Sequence, residues 1–275
     1  MNNSWYCCRL PRHGVILPGL VVVLLCFASA AWARQTRAVW SAAGEQGHLD
    51  LFESTLSPQT WSKPECLVSN ETENITPAIA EGADGTVLLA WIARDASGQA
   101  LLHYLFRFAG GKKLQGVVDT GFAHNYAPSV LIDNRNTPWV AWASDDGTDE
   151  DIYASRFDGR AWSSAYRVNQ DDDTPDIKPL LTLLPSGEVQ VVWPGFDTTG
   201  YRPYQATWSG SGFSGERAAK EDPAQAAHNK TACSALPPLP AMAAKRLMAT
   251  IFNSENKGLQ SVPEWVAPCM PKPLP

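Results

Sequence analysis

Three acidic residues recur at a fixed interval in this sequence and are its first candidates for chemistry. Asp95, Asp146 and Asp197 are spaced 51 residues apart, and each lies four residues after a tryptophan. Carboxylates in loops can bind a cation, a sugar hydroxyl or a basic partner. Aspartate also accepts backbone hydrogen bonds in tight loops, so turn formation is the alternative explanation of the same series.

Further candidate ligand-binding residues lie in loops that we expect at the same end of the structure. The predicted ligand-binding set is Asp95, Asp146, Asp197, Asn125, Tyr126 and Tyr201. The histidines lie far apart without the spacing of metal ligands, and no Gly-x-Ser-x-Gly sequence occurs. We therefore expect no cofactor and no catalytic residue, and the question of a metal stays open.

The tryptophans that precede these aspartates mark an internal repeat. Two series share the 51-residue spacing: the tryptophans Trp40, Trp91, Trp142 and Trp193, and the prolines Pro77, Pro128 and Pro179. Segments that end at the tryptophans are apolar at nearly every position, which is typical of strands covered on both faces. Each unit then contains four short strands, A to D, with the tryptophan at the end of strand B. We expect the four tryptophans to be structural and to pack between units.

Regular units of about fifty residues with four strands each predict an all-β fold, a β-propeller. Five four-stranded blades are the first prediction and four blades are the alternative. Strand B of the fifth blade would end at Phe252, and a segment near residues 260–266 would supply strand A of the first blade. Closure of the ring matters because an open sheet edge exposes unpaired backbone groups.

Residues 1–33 have the composition of a secretory signal peptide. Arg9 and Arg12 precede an uncharged run that ends in Ala31-Trp32-Ala33, a small-x-small cleavage signal. An uncleaved membrane anchor is the alternative, because the uncharged run is close to the minimum length that spans a bilayer. We expect residues 34–275 to form a single propeller domain that is secreted or periplasmic, or membrane-anchored and extracytoplasmic if the leader is retained.

Charge and cysteine content restrict the partners and the covalent links. The formal charge is −6 over 275 residues, so nucleic acid is not an expected partner. Three of the six cysteines lie in the leader. In an oxidising compartment the other three allow one disulfide and one thiol. We predict a Cys233–Cys269 disulfide with Cys66 as a buried thiol, and a Cys66–Cys269 bridge is the alternative.

One segment resembles a known family. The stretch 151–163, Asp-Ile-Tyr-Ala-Ser-Arg-Phe-Asp-Gly-Arg-Ala-Trp-Ser, is similar to repeats of the sialidase-like superfamily of β-propellers, which carry Asp-box turns between strands C and D. Asp158 and Gly159 are adjacent here, whereas the usual motif separates them by one residue. The resemblance covers most of residues 37–260 at the level of the repeat and implies a propeller fold. Sialidase activity would need three converging arginines, and the arginine motif expected near the first blade is absent.

These features together predict an exported propeller that acts as a binding or scaffolding module for a carbohydrate or a protein. The alternatives are an exported glycoside hydrolase or lyase with an acidic site in the propeller funnel, and a membrane-tethered interaction domain. A close carboxylate pair in the funnel would favour the enzyme. An exposed aromatic residue beside polar loop residues would favour a carbohydrate-binding protein.

Overall fold

The computed structural model describes residues 36–57, 59–197, 199–219, 249–253 and 258–262. These residues form strands and turns, and none of them lies in a helix. In this part of the chain no helix has the length and apolarity needed to cross a membrane. The predicted leader, residues 1–33, and the predicted Cys233–Cys269 disulfide lie outside the described residues.

The described strands form four antiparallel sheets that follow one another along the chain. The first sheet contains β1 (Arg37–Ala43), β2 (Leu49–Ser57), β3 (Thr60–Trp61), β4 (Glu65–Val68), β17 (Ala249–Asn253) and β18 (Gly258–Val262). The second sheet contains β5 (Glu73–Glu81), β6 (Val87–Arg94), β7 (Ala100–Arg107) and β8 (Lys113–Val117). The third sheet contains β9 (Asn125–Ile132), β10 (Pro138–Asp145), β11 (Glu150–Arg156) and β12 (Tyr166–Arg167). The fourth sheet contains β13 (Leu180–Leu183), β14 (Val189–Asp197), β15 (Gly200–Thr207) and β16 (Arg217–Ala218).

Consecutive sheets pack face to face, as the blades of a β-propeller do. The second and third sheets share an apolar cluster that contains Phe106 and Trp142. A second cluster joins the third sheet to the fourth at Trp193, and another joins the first sheet to the second at Trp91. The middle strands are therefore covered on both faces, which explains why their sequences are apolar without alternation. The four tryptophans of the repeat are all buried, with exposed fractions of 2, 4, 0 and 1% in chain order.

The proline series marks a bulge in the first strand of the blades. Thr76, Ala127 and Lys178 directly precede the three prolines, and their φ angles are 49°, 45° and 50°. The ladders between β5 and β6 and between β9 and β10 shift register at this point. Left-handed backbone at a residue other than glycine costs about 1–2 kcal/mol, and it persists here because the flanking ladders hold it. The repeat therefore fixes a distortion of the inner strand as well as its apolar packing.

The prediction of five blades is not confirmed within the described residues. The segment assigned to strand B of a fifth blade is β17, and it pairs with β1 at Val39–Thr250 and neighbouring positions. It thereby takes the place of strand A in the first sheet, which was expected from residues 260–266. Strand β18 follows on the other side of β17 and comes near β5, β9 and β13, the inner strands of the other sheets. The first sheet is thus built from both ends of the domain.

The structure also describes the surroundings of Cys66 and of the turn at Asp158. Cys66 was expected to be buried, but it is exposed, because β4 is the outer strand of the first sheet. The segment at Asp158 and Gly159 forms a tight turn. Asp158 accepts hydrogen bonds from the backbone amides of Arg160 and Ala161, both at 2.8 Å, and Gly159 adopts a φ of 97°.

Candidate functional site

The aspartates spaced by 51 residues each form a turn within their own hairpin. Asp95 accepts hydrogen bonds from the amide (2.9 Å) and hydroxyl (2.6 Å) of Ser97, two residues later. Asp146 and Asp197 make the same pair of bonds to the threonines two residues after them. These hydroxyl hydrogen bonds lower the pKa of all three carboxyls. Turn formation accounts for the series, and each residue bonds within its own hairpin.

The side chain of Asn125 is completely buried and bonds within the fold. It donates a hydrogen bond to the carbonyl of Ala100 at 2.8 Å and accepts one from Ser144 at 2.8 Å. The Ser144 hydroxyl in turn accepts the indole N–H of Trp142 at 2.8 Å. Tyr126 is partly buried against the cluster between the third and fourth sheets, and desolvation raises its pKa.

A cluster of polar residues occupies the end of the third sheet at which the β10–β11 hairpin turns. We call it the acidic cluster, and it consists of Asp146, Asp149, Asp151, Arg167, Asn169 and Asp176. The first three residues belong to the hairpin and the start of β11, the next two to β12 and the loop after it, and the last to the segment before β13. Of these residues, only Asp146 was among the predicted ligand-binding residues.

Two buried carboxyl groups lie at the centre of the acidic cluster. Asp151 is completely buried and Asp176 is 5% exposed. The amide nitrogen of Asn169 lies 2.8 Å from Asp151 Oδ1 and 2.5 Å from Asp176 Oδ2, so it joins the two groups. Burial raises the pKa of Asp176 to about 7, although Asn169 and the indole of Trp193 both donate hydrogen bonds to it.

Only one basic side chain of the described residues contacts this cluster. The guanidinium of Arg167 forms an ion pair with Asp151 and a second one with Asp171 at 3.0 Å. Asp149 is 8% exposed, and burial together with the neighbouring Asp151 raises its pKa. Its Oδ1 accepts a hydrogen bond from Thr148 at 3.2 Å, whereas its buried Oδ2 has no hydrogen-bond partner among the described residues.

Comparison of the blades at equivalent ladder positions shows that the ion pair is particular to the third sheet. Asp151 pairs with the residue two after the blade tryptophan, and the second and fourth sheets have Leu101 and Arg202 there. Arg167 pairs with the residue opposite the blade tryptophan, and its equivalents are Val117 and Ala218. The first sheet has a buried aspartate, Asp50, at the position of Asp151 and Cys66 at the position of Arg167. The aspartate therefore recurs, whereas the arginine is found in the third sheet alone among these four described blades.

A fixed spacing of 51 residues hides this departure. Trp91 pairs with His103, twelve residues later, whereas Trp142 pairs with Tyr153, eleven residues later. The first sheet shares the offset of twelve residues and the fourth sheet the offset of eleven, so strand C of the third and fourth sheets is one residue out of phase with strand C of the first two. A blade-by-blade alignment that allowed this shift would have drawn attention to the acidic residues at 149–151.

Two aromatic rings project from the β14–β15 hairpin of the fourth sheet. Phe196 and Tyr201 are opposite each other in the ladder and are 40% and 55% exposed. Their ring centroids are 5.3 Å apart and the rings are nearly perpendicular. We call this pair the aromatic ridge. Arg202 and Asp197 lie beside it, joined by an ion pair of 2.6 Å.

The acidic cluster and the aromatic ridge are linked through one segment of backbone. The backbone amide of Asp176 donates a hydrogen bond of 2.7 Å to the carbonyl of Glu150, which belongs to the β10–β11 hairpin. The amide of Phe196 donates to the carbonyl of Pro175 at 3.1 Å. The segment before β13 therefore touches both hairpins, and the two features belong to the same end of neighbouring blades.

A shallow concavity of about 440 Å³ lies at the same end of the second sheet. Its lining includes Leu101, Val117 and Phe122, and Val117 is 45% exposed. Leu101 and Val117 hold the ladder positions that Asp151 and Arg167 occupy in the third sheet. The same position on the fold is thus apolar in one blade and charged in the next.

Comparison with known proteins supports the fold. No family model and no curated protein matches the sequence. Among solved structures, a protein of unknown function from Dyadobacter fermentans is 16% identical with a TM-score of 0.51, and the match covers 74% of this chain and 64% of that one. An endo-arabinase from Bacteroides thetaiotaomicron is 14% identical with a TM-score of 0.45, over 84% and 94% of the chains. A Hadza microbial sialidase is 11% identical with a TM-score of 0.42, over 76% and 50%. The chain is an all-β propeller, and it spans about two thirds of the length of the first of these structures.

Proposed function

We propose that this protein is a carbohydrate-binding module whose contact surface is the aromatic ridge. The observation that carries the proposal is the exposure of Phe196 and Tyr201 side by side on a hairpin. Aromatic rings left in water at a surface commonly mark a binding site, because a ligand that covers them removes apolar area from solvent.

The surroundings of the ridge suit a sugar better than a purely apolar ligand. A pyranose ring presents an apolar C–H face and a rim of hydroxyl groups. Tyr201 offers an apolar ring with a polar tip, a combination that suits surfaces apolar on one side and wet on the other. Arg202 and Asp197 lie next to the ring and supply donors and acceptors for hydroxyl groups, and Thr199 holds Arg202 with a hydrogen bond of 2.9 Å.

Binding is favoured over hydrolysis by the position of the carboxyl groups. A general acid must come within hydrogen-bond distance of the substrate. Asp176 has the pKa of a general acid, but it is 5% exposed and bonded to Asn169 and Trp193. At the ridge itself, Asp197 bonds to Thr199 and pairs with Arg202, which favours its ionised form.

Replacing Tyr201 by alanine tests the proposal. We expect Tyr201→Ala to weaken binding to glycans identified on an array at least about tenfold, which corresponds to about 1.4 kcal/mol. Val117→Ala, which removes an exposed apolar side chain from the second sheet, is the matched control and should leave affinity unchanged. Unaltered binding by Tyr201→Ala, or a loss with Val117→Ala alone, would place the ligand elsewhere. Cleavage of a bound glycan by the wild type would favour a glycosidase instead.

A further inference from the structure

The carboxylates of the β10–β11 hairpin converge on one point at the end of the third sheet. One oxygen atom from each of Asp146, Asp149 and Asp151 lies within 4.8 Å of the others. We propose that these three residues bind a divalent cation, with Ca²⁺ as the ion that fits best. The site is separate from the aromatic ridge and does not depend on carbohydrate binding.

The strongest support is an oxygen atom that has been buried without a partner. Asp149 is more than nine-tenths buried, and its Oδ2 makes no hydrogen bond with the described residues. Burying a polar group without a hydrogen bond costs on the order of 1–3 kcal/mol, and more when the group is charged. A cation at this oxygen would supply the missing interaction.

The balance of charge points in the same direction. Three carboxylates face one another, and the guanidinium of Arg167 is shared between Asp151 and the more exposed Asp171. The single positive charge of Arg167 therefore lies among four carboxylates, those of the three proposed ligands and of Asp171. Like charges held this close repel each other, and a bound cation would offset that repulsion.

Turn formation does not explain the cluster. The β6–β7 hairpin makes the equivalent turn with Asp95, Ser97 and Gly98, and its strand β7 begins at Ala100. The aspartate that forms the turn is common to both hairpins, whereas the second sheet has Gln99 at the position of Asp149. Asp151 has a counterpart in the first sheet, the buried Asp50. Asp146 makes the turn bonds without the buried Oδ2 of Asp149, so turn formation leaves the burial of that oxygen unexplained.

The chemistry of the donors selects the class of ion. All three ligands are carboxylates, and the hydroxyl of Thr148 lies beside them, 2.6 Å from Asp146 and 3.2 Å from Asp149. Hard cations prefer oxygen donors of this kind, and no thiol or imidazole joins the group within the described residues. Ca²⁺ accepts irregular arrangements and mixed oxygen ligands, whereas Mg²⁺ demands a near-ideal octahedron.

Thermal unfolding of the full chain, stripped with chelator and titrated with CaCl₂, tests the proposal. We expect a saturable rise of about 5 °C in Tm, because an ion that binds only the folded state stabilises it. Calorimetric titration should give one site per chain. Asp149→Asn keeps the shape of the side chain and should abolish both signals, whereas Asp95→Asn, at the matching turn of the second sheet, should retain them.

Two results would overturn the proposal. One is a wild-type protein with neither a calcium-dependent Tm nor calorimetric heat at millimolar CaCl₂, the weak end of the range for extracellular modules. The other is an Asp149→Asn variant that responds to CaCl₂ as the wild type does. If Asp149→Asn does not fold, Asp146→Asn, which removes a charge from the exposed side of the cluster, replaces it with the same expectations.

Discussion

At the scale of single residues, one position shows how the repeat has been modified. The residues seventeen positions before Trp91, Trp142 and Trp193 are Asn74, Asn125 and Asp176, and all three are buried. Asn74 and Asp176 accept the indole N–H of their tryptophans directly, at 2.9 and 2.8 Å. Asn125 does so through Ser144. An amide is neutral at every pH, whereas the carboxyl of Asp176 ionises, so among these three equivalent positions Asp176 is the one whose hydrogen bonding depends on pH.

Asp176 should make the protein less stable as the pH rises. Its pKa is about 7 in the folded state and about 3.9 in an unfolded chain, so the folded state holds the proton over this interval. The stabilisation that protonated Asp176 gives the folded state is fully present below about pH 4, and it is lost as the pH rises through about 7. We expect the unfolding free energy of Asp176→Asn, relative to the wild type, to rise by on the order of 2 kcal/mol between about pH 4 and pH 8. The variant starts from a lower value at pH 4, because asparagine keeps one of the two oxygens that accept hydrogen bonds from Asn169 and Trp193.

Urea unfolding in chelator across this pH range measures the difference. Asp95→Asn is the control, because hydrogen bonds lower the pKa of Asp95 and leave it ionised in both states above about pH 5. Its difference from the wild type should therefore stay constant. A difference between Asp176→Asn and the wild type that does not rise with pH would show that Asp176 is ionised in the folded protein.

At the scale of strands and hairpins, the sequence predicts the regular parts and misses the shifts. The segments that lead to Trp91 and Trp142 are apolar and are buried on both faces as predicted, although β6 and β10 continue past these tryptophans to Arg94 and Asp145. The left-handed residue before Pro128 does not follow from composition, because it is held by the ladder on either side. The acidic cluster was missed for a similar reason, since strand C of the third and fourth sheets pairs one residue out of phase with strand C of the first two. The pairing between strands determines these shifts in register, and the spacing of the repeat alone does not reveal how the strands pair.

Trp142 should contribute to stability through both its ring and its N–H. The side chain is completely buried, stacks on Tyr153 at 6.1 Å and donates to Ser144 at 2.8 Å. We expect Trp142→Ala to cost about 3–5 kcal/mol and Trp142→Phe, which keeps a ring, about 1–2 kcal/mol. Phe196→Ala on the exposed ridge should change stability by less than about 0.5 kcal/mol. Denaturant melts rank the three variants, and an unaltered melt for Trp142→Ala with lost glycan binding would make Trp142 a ligand residue.

At the scale of the whole molecule, closure depends on a segment far from the first blade in sequence. Strand β17 pairs with β1, so the first sheet is completed by residues that lie about 210 positions further along the chain. The sequence identified the apolar segment at residues 247–252 but assigned it to a blade of its own. Its composition suits an inner strand of a blade and a middle strand equally well, because both kinds of strand are covered on two faces. Only its partner distinguishes the two, and the partner is fixed by the tertiary fold.

Engineered disulfides between β1 and β17 test this closure. Val39 faces Thr250 and Ala38 faces Ile251, and adjacent pairs in an antiparallel ladder alternate between wide and narrow spacing. In a background without native cysteines, we expect at least one of the two double-cysteine variants to oxidise completely. The bridge should stabilise by about 4–5 kcal/mol in the chain-entropy treatment, because the closed loop is long.

A third variant pairs Val39→Cys with Ser261→Cys on β18 and serves as the control. Strand β18 lies one strand further from β1, so the two Cα atoms are separated by two strand spacings, about 9–10 Å. That distance exceeds the reach of a disulfide, about 7 Å, and this variant should stay reduced. Equal cross-linking in all three variants, or none in the two facing pairs, would mean that β1 is completed by another segment. The ring would then have to close through a strand other than β17.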